Sequence, residues 1–311
     1  MLDELRGFAM FGVLWSNLNG HYGLKAPSTA LDFVLAWAQP NLIEFRFYSL
    51  LGFLFGIGFA LQIARAETRG ASPAPTFLRR MAALLALGVI HGTLIWGGDV
   101  LTEYALLGFV LILFRHASPA RLLAIAAFLA LLVARVIPRP DVAFPPGPLD
   151  ARFYWIFYRY WFPVVAPQFL ALFLLGLCLV RSGLLPRLGK DRRLLLHILV
   201  ISAAVSIAGR ALEVSDLRPW SDACVYATLL ALFPIHPLAA AGRMSLTVYL
   251  TQSLISIALF RGLGWYGHVG YTGMLAITVA IFTLQVIAAT LWFRRFQFGP
   301  VEYLWRRAAY L

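Results

Sequence analysis

The stretch HGTLIWGGDVLTEYALLG, residues His91–Gly108, places a His, two acids and a Tyr within eighteen positions of a chain that is otherwise mostly hydrocarbon-like. Its Gly97-Gly98 pair reverses the chain between two apolar helical runs, because glycine turns at no steric cost and neither flank carries strand punctuation. The stretch therefore reads as a helical hairpin. His91 and Tyr104 each lie six or seven residues from the turn centre. At about 1.5 Å per residue both sit roughly 10 Å down neighbouring antiparallel helices, with Asp99 above them at the mouth. Ionisable groups at such depth are costly and mark a functional site facing a cavity or bundle interior.

Outward from the hairpin, composition sets the class. Of 311 residues, 61% are hydrophobic and only 13% charged, and the mean hydropathy is +0.78. These values exclude a water-soluble protein and predict an all-α, polytopic integral membrane bundle. Apolar runs of spanning length, separated by Pro, Gly or Arg clusters, give about ten transmembrane helices. They fall near 5–20, 43–65, 79–96, 99–115, 119–137, 160–181, 193–210, 220–240, 244–262 and 272–294. The aromatic-rich segments 29–40 and 150–160 are short, end at Pro or charge, and read as interfacial pieces. The tail FGPVEYLWRRAAYL is too short and too charged to cross, and reads as a surface-lying segment. The N-terminus lacks a small-residue cleavage pattern and reads as the first span.

The net charge of +12 would suggest nucleic acid in a soluble protein. Here it is explained by basic inner loops, which leaves no reason to expect nucleic-acid binding. With the N-terminus inside, Lys and Arg divide about two to one in favour of the inner side, so both termini are expected in the cytoplasm and the Gly97-Gly98 turn outside. The proline-rich loop PRPDVAFPPGPLD cannot be helical and reads as an extended outer cover. Cys178 and Cys224 lie inside apolar runs and form neither a disulfide framework nor a metal cluster, and no metal-ligand spacing accompanies His91. No metal is expected.

Polar constellations recur along this apolar chain. In the first span Arg6 and Asn17 are eleven residues apart, so one helix face joins the inner rim to the outer half. Arg6 is either a snorkelling anchor or a ligand for an anion, and Asn17 either a helix-pairing group or part of a site. His21, one turn further on, is a base in the outer vestibule or a solvated loop side chain. Glu44 and Arg46 open the second span, either as an ion pair or as groups that orient a catalytic His. His91 is a hydrogen-bonded core imidazole or, with Asp99, Glu103 and Tyr104 beside it, a general base. In AAGRMSLTVYLTQSLI, Arg243, Thr247, Gln252 and Ser253 do not share one face, so only some can line one cavity. Glu302 and Arg306 form an i,i+4 pair in the tail.

Five ordered motifs, LDELRGFAMFGVLWSN, FRFYSLLGFLFGIGFALQ, HGTLIWGGDVLTEYALLG, AAGRMSLTVYLTQSLI and FGPVEYLWRR, together resemble the YeiB-like bacterial membrane proteins of the DUF418 family over essentially the whole chain. The resemblance implies a single transmembrane domain over 1–311, with an N-terminal part at 1–137 and a DUF418 part at about 160–311, in the bacterial inner membrane. The first-span pattern is also similar to that of transmembrane acyltransferases, namely the acyltransferase-3 group and heparan N-acetyltransferase. Arg6 matches the Arg of that pattern. Asn17 stands where the acyltransferase-3 group has a His, and Asn cannot be a general base, so His21 or His91 must take that role.

The resemblance thus implies a membrane-embedded acyltransferase that moves an acyl group from cytoplasmic acyl-CoA, acetyl-CoA being the expected form, to a small-molecule or envelope hydroxyl or amine. In that reading Arg6, Arg80 and Arg243 hold the phosphates of the acyl-CoA, since Arg matches phosphate bidentately. His91 is the base, Asp99 or Glu44 orients it, and Asn17 or Tyr104 stabilises the oxyanion. The expected partners are the lipid bilayer, the small-molecule acceptor and, as an oligomeric option, further copies of the chain. The rival reading is a small-molecule exporter in which the same buried polar residues form a substrate or proton path. The absence of an inverted repeat in the sequence weighs against it.

Overall fold

The computed structural model describes residues 1–70, 72–135, 151–212 and 218–310, apart from the side chains of 21, 131–135, 151, 309 and 310. Among these the protein is all-α, with one isolated bridge between Leu24 and Val269. In chain order the helices begin with α1 (Leu2–His21), α2 (Ala30–Ala38), α3 (Arg46–Glu67), α4 (Pro73–Ile90) and α5 (Leu101–Leu111). Next come α6 (Pro119–Arg135), α7 (Ala151–Ile156), α8 (Phe162–Arg181), α9 (Leu185–Leu188) and α10 (Arg192–Ala211). The chain closes with α11 (Arg218–Leu232), α12 (Leu238–Arg243), α13 (Ser245–Ile257), α14 (Tyr271–Trp292) and α15 (Pro300–Tyr310). Four π turns extend or join these helices, at Gln39–Ile43, His91–Ile95, Phe157–Trp161 and Ala258–Gly262. The proline-rich loop before α7 lies outside the described residues.

Among the described residues, five runs are long and apolar enough to cross a bilayer: Ala30–Glu67, Pro73–Ile95, Arg152–Arg181, Arg192–Ala211 and Tyr271–Trp292. Shorter apolar helices occupy Leu101–Phe114 and Pro119–Ala130. The chain is thus a multi-pass membrane protein. Three segments differ from the sequence expectation. The stretch 150–160 is not a separate interfacial piece: it runs through the Phe157–Trp161 π turn into α8. Pro163 falls in the first turn of α8, where the π turn has already displaced the hydrogen-bond ladder and a missing N–H is tolerated. The segment expected at 29–40 likewise continues to Ile43 and ends only at Glu44-Phe45, where Phe45 takes a φ of 64°. The helix expected over 220–240 stops at Leu232, because Pro234 and Pro237 interrupt it before α12 begins.

The described residues form two units. The first comprises Met1–Leu51 and Asp191–Tyr303. Its α1 and α12 meet backbone to backbone: a Cβ on Gly7 would overlap the Leu238 carbonyl, and one on Gly242 would overlap the Asp3 carbonyl. Small residues permit such contact where apolar side chains would hold helices apart. Inside the unit, Gln252 Nε2 donates to Gln285 Oε1 at 3.0 Å, and Gln285 Nε2 donates to Val248 O at 3.1 Å and Thr251 Oγ1 at 2.8 Å. Glu302 caps α13, accepting from Leu246 N at 2.7 Å, Thr247 N at 3.1 Å and Thr247 Oγ1 at 2.6 Å. The tail motif and the GRMSLT motif are therefore one structural element. Asp32 does similar work at two helix starts, accepting from Thr29 N at 3.2 Å and from Thr272 N at 2.9 Å.

The second unit comprises Gly52–Lys190 and Leu304–Leu311. Here α3 and α8 touch at Gly56 and Gly176, where an added Cβ would fall on the Phe173 and Phe53 carbonyls respectively. Phe55 stacks on Phe173 with ring centroids 4.5 Å apart. At the base of α4, Arg80 lies 4.1 Å from the Trp305 ring, and the Trp305 indole N–H donates to the Arg80 carbonyl at 2.9 Å. This pair ties the last helix to α4.

Candidate functional site

The site forms where α4 runs out. Its final turn widens into the π turn His91–Ile95, the peptide N–H of Trp96 donates back to the His91 carbonyl at 2.8 Å, and α5 starts five residues later. A π turn inserts one residue and re-aims the side chains that follow, which is why such turns gather at functional sites. His91 is fully buried, with 0% of its surface exposed, and Asp99 is 4% exposed. The imidazole Nδ1 lies 2.9 Å from Asp99 Oδ1, so its N–H donates to the carboxylate. The second oxygen of Asp99 accepts from the Thr102 peptide N–H at 2.8 Å. Asp99 is thus held between an imidazole and the first turn of α5.

This geometry corrects one expectation about the hairpin. Asp99 is not at an open mouth: it is folded inward onto His91, because its place ahead of α5 makes it the acceptor for that helix's uncapped N–H groups. Two glycines one turn apart make room. A Cβ on Gly88 would fall on the Thr102 amide and hydroxyl, and one on Gly92 would fall on the Tyr154 ring.

Aromatic hydroxyls close the site. Tyr154 and Thr102 share a hydrogen bond of 3.0 Å, and Tyr158 donates to the Asp99 carbonyl at 3.3 Å. The Trp96 ring lies 6.3 Å from the imidazole. One turn beyond Asp99, the Glu103 carboxylate is 5% exposed and has a buried oxygen with no hydrogen bond among the described residues. Thr102, Tyr154 and Tyr158 escaped sequence reasoning. The D-x-x-T spacing before an apolar run is a helix-cap signal that could have found Thr102. The two tyrosines come from a segment about sixty residues away and carry no local signal.

The remaining candidates are distributed over both units. Tyr104 sits on α5 among Phe55, Phe173 and Phe169, with centroids 5.4, 5.2 and 6.1 Å away. Arg80 donates to Gln62 Oε1 at 2.8 Å. These belong to the second unit with His91 and Asp99. In the first unit, buried Asn17 accepts a hydrogen bond from the Tyr48 hydroxyl. Arg6 pairs with Asp3 at 2.9 Å, and Arg243 lies exposed with its guanidinium 3.9 Å from the Phe293 ring. The Gly242–Asp3 contact brings the Arg6 and Arg243 segments to the same end of the α1–α12 crossing. The side chain of His21 lies outside the described residues.

Glu44 differs from expectation. It does not pair with Arg46, because residues two apart do not face each other and the helical path is interrupted at Phe45 between them. Arg46 instead donates through Nε to Asp222 at 3.1 Å and through Nη1 to the Pro40 and Glu44 carbonyls at 2.7 and 2.6 Å. Arg210 joins from α10, its Nη2 3.0 Å from Asp222 Oδ2, and Ser206 also donates to Asp222. The half-buried Glu44 carboxylate has no hydrogen bond or ion pair with a described residue.

Comparison with known proteins bears on what this arrangement is. The Bacillus subtilis protein YxaH is 32% identical over 380 aligned positions, which cover 100% of this chain and 94% of YxaH. Residues 223–311 match the family described as "Protein of unknown function (DUF418)". The chain belongs to the DUF418 family. A second relative in this group is a 39.9 kDa protein encoded in the amylase 3′ region of Bacillus acidopullulyticus, 29% identical over 99% of this chain and 93% of that protein. YeiB of Escherichia coli is 27% identical over 98% of this chain and 94% of YeiB. The family match covers α12–α15 with the Glu302 cap, whereas the His91–Asp99 pair lies outside it.

Proposed function

We propose that this DUF418 protein is a membrane-embedded acyltransferase of the bacterial inner membrane, with about ten transmembrane helices and both termini cytoplasmic. It would move an acyl group from cytoplasmic acyl-CoA to a hydroxyl or amine on a small-molecule or envelope acceptor. The observation that carries the reading is the buried His91–Asp99 pair at 2.9 Å. With Nδ1 committed to the carboxylate, the imidazole exchanges protons through Nε2. His91 takes the proton of the acceptor O–H or N–H as that atom attacks the thioester carbonyl. The C–S bond then breaks, and the departing thiolate receives the proton from the imidazolium. Asp99 stabilises the imidazolium and fixes the ring. No covalent enzyme intermediate is required.

Arg243 supports the acyl-CoA half of the proposal. Stacking on Phe293 leaves the edge of its guanidinium, which no described residue engages, for a phosphate. Arg6, near the same crossing, is partly occupied by Asp3. A second reading, proton-coupled export, draws on Glu103, a buried carboxyl without a hydrogen-bond partner and a natural proton carrier.

The test is incubation of the purified protein with radiolabelled acetyl-CoA and membrane extracts. Acyl-CoA binding and labelled acceptor are expected for the wild type, and neither labelling nor turnover for His91→Ala. No acyl-CoA binding overturns the enzyme reading, and acyl transfer retained in His91→Ala removes that residue from the mechanism.

A further inference from the structure

Below the Gly56–Gly176 contact, α3 and α8 continue in the same direction and separate. The space between their ends, closed on a third side by the start of α6 at Pro119, is a cavity of about 300 Å³. Its wall is apolar, with Ala60 and Ile63 from α3 and Leu177 and Val180 from α8. Its rim is not. Glu67, the last residue of α3, and Arg181, the last of α8, both line it.

Two features of that rim point to a ligand. Opposite charges on one cavity normally close on each other, but Glu67 and Arg181 form no ion pair. The Glu67 carboxylate is exposed and engages no described residue, and Arg181 directs one donor, Nη1, to the Ala117 carbonyl at 3.1 Å. Both also stand at the ends of bilayer-length runs, Ala30–Glu67 and Arg152–Arg181, the depth at which lipid headgroups lie. The C-terminal end of α3 adds partial negative charge that favours a cation beside Glu67, whereas at the end of α8 the Arg181 guanidinium supplies positive charge. The volume is that of roughly ten water-sized groups, far more than a lone ion fills.

We propose that this cavity binds an aminophospholipid, a phosphodiester carrying a primary ammonium. One acyl chain lies along the Ala60–Leu177 wall, the ammonium meets Glu67, and the phosphate meets Arg181. A primary ammonium donates hydrogen bonds to a carboxylate, which a choline headgroup cannot do, and an anionic headgroup without an amine is repelled by Glu67. The assignment uses none of the residues proposed for acyl transfer, so it stands or falls separately from that reading.

The test is native mass spectrometry of the purified full-length protein in detergent, titrated with palmitoyl-oleoyl phosphatidylethanolamine, phosphatidylcholine or phosphatidylglycerol. Phosphatidylethanolamine is expected to be retained at least fivefold more than either of the others. Glu67→Gln should lower it to the phosphatidylcholine level, Arg181→Gln should weaken all three, and Ala64→Trp, which fills the cavity, should abolish retention. Equal retention of the three lipids by the wild type overturns the proposal. So does an ethanolamine preference that survives both Glu67→Gln and Arg181→Gln. The wild-type comparison needs no variant, so a substitution that harms folding leaves the result decisive.

Discussion

Among the described residues, the buried ionic cluster around Asp222 in the first unit and the one around Asp99 in the second are built to opposite ends. Around Asp222, two arginines and a serine engage both carboxylate oxygens, and Arg46 also takes two backbone carbonyls. Guanidinium stays charged at any accessible pH, so that group cannot trade protons. Around Asp99 the partners are an imidazole, a peptide N–H, two tyrosines nearby and an unbonded Glu103. Of these, the imidazole and the Glu103 carboxyl belong to proton-exchanging types, which a guanidinium does not. The contrast teaches that burial of charge is not by itself a mark of chemistry. What matters is whether the group's protonation can change without dismantling the fold.

Substitutions can break or sharpen that contrast. The largest expected effect on stability is at Asp222→Ala, which strands the buried Arg46 guanidinium and removes the carboxylate partner of half-buried Arg210. A loss of about 3–5 kcal/mol is expected, read as a fall in melting temperature in detergent or as failure to accumulate. His91→Ala should lose less stability, about 1–3 kcal/mol for the cavity and the half-paired Asp99 carboxylate, while reducing acyl transfer by roughly 10²–10⁴, the usual range for a general base. If the two variants behaved alike, the distinction between the clusters would collapse. Asp99→Asn is intermediate. It keeps the cap on Thr102 but loses the charge that supports an imidazolium, so turnover should drop at least tenfold, with a stability change of about 1 kcal/mol. The smallest effect is expected at Tyr154→Phe, which removes one hydrogen bond with Thr102. A cost of about 0.5–1.5 kcal/mol in a denaturation midpoint is expected, with turnover unchanged.

How much of this was legible in the sequence follows from the range of each interaction. Helices announced themselves through apolar runs and Pro or Gly breaks, so α1, α6 and α10 fall within a few residues of where the periodicity put them, whereas α4 begins six residues earlier than expected, at Pro73. The His91–Asp99 pair was legible as a neighbourhood because eight residues and a glycine turn separate its members. Its closure was not, since the inward fold of Asp99 depends on the N-terminus of α5. Of the two readings of Glu44 and Arg46, the ion pair fails for a related reason. Glu44 is near in sequence, whereas Asp222 is 176 residues away and is reached only through tertiary packing. The continuity of 151–181 was hidden by Pro163, whose helix-breaking reputation assumes a regular ladder rather than one already shifted by a π turn.

The α1–α12 contact has a consequence for how the chain is made. Gly7 is synthesised about 230 residues before the Leu238 carbonyl that it admits. At roughly 5–20 residues per second, α1 waits on the order of 10–50 s beside the ribosome with that face uncovered. The Glu302 cap comes later still, so α1 and the GRMSLT segment are both completed by segments made well after them. A polypeptide assembled in this order depends on whatever shelters α1 in the interval. Slowed translation between α1 and α12 should therefore harm its yield more than the same delay placed after Glu302.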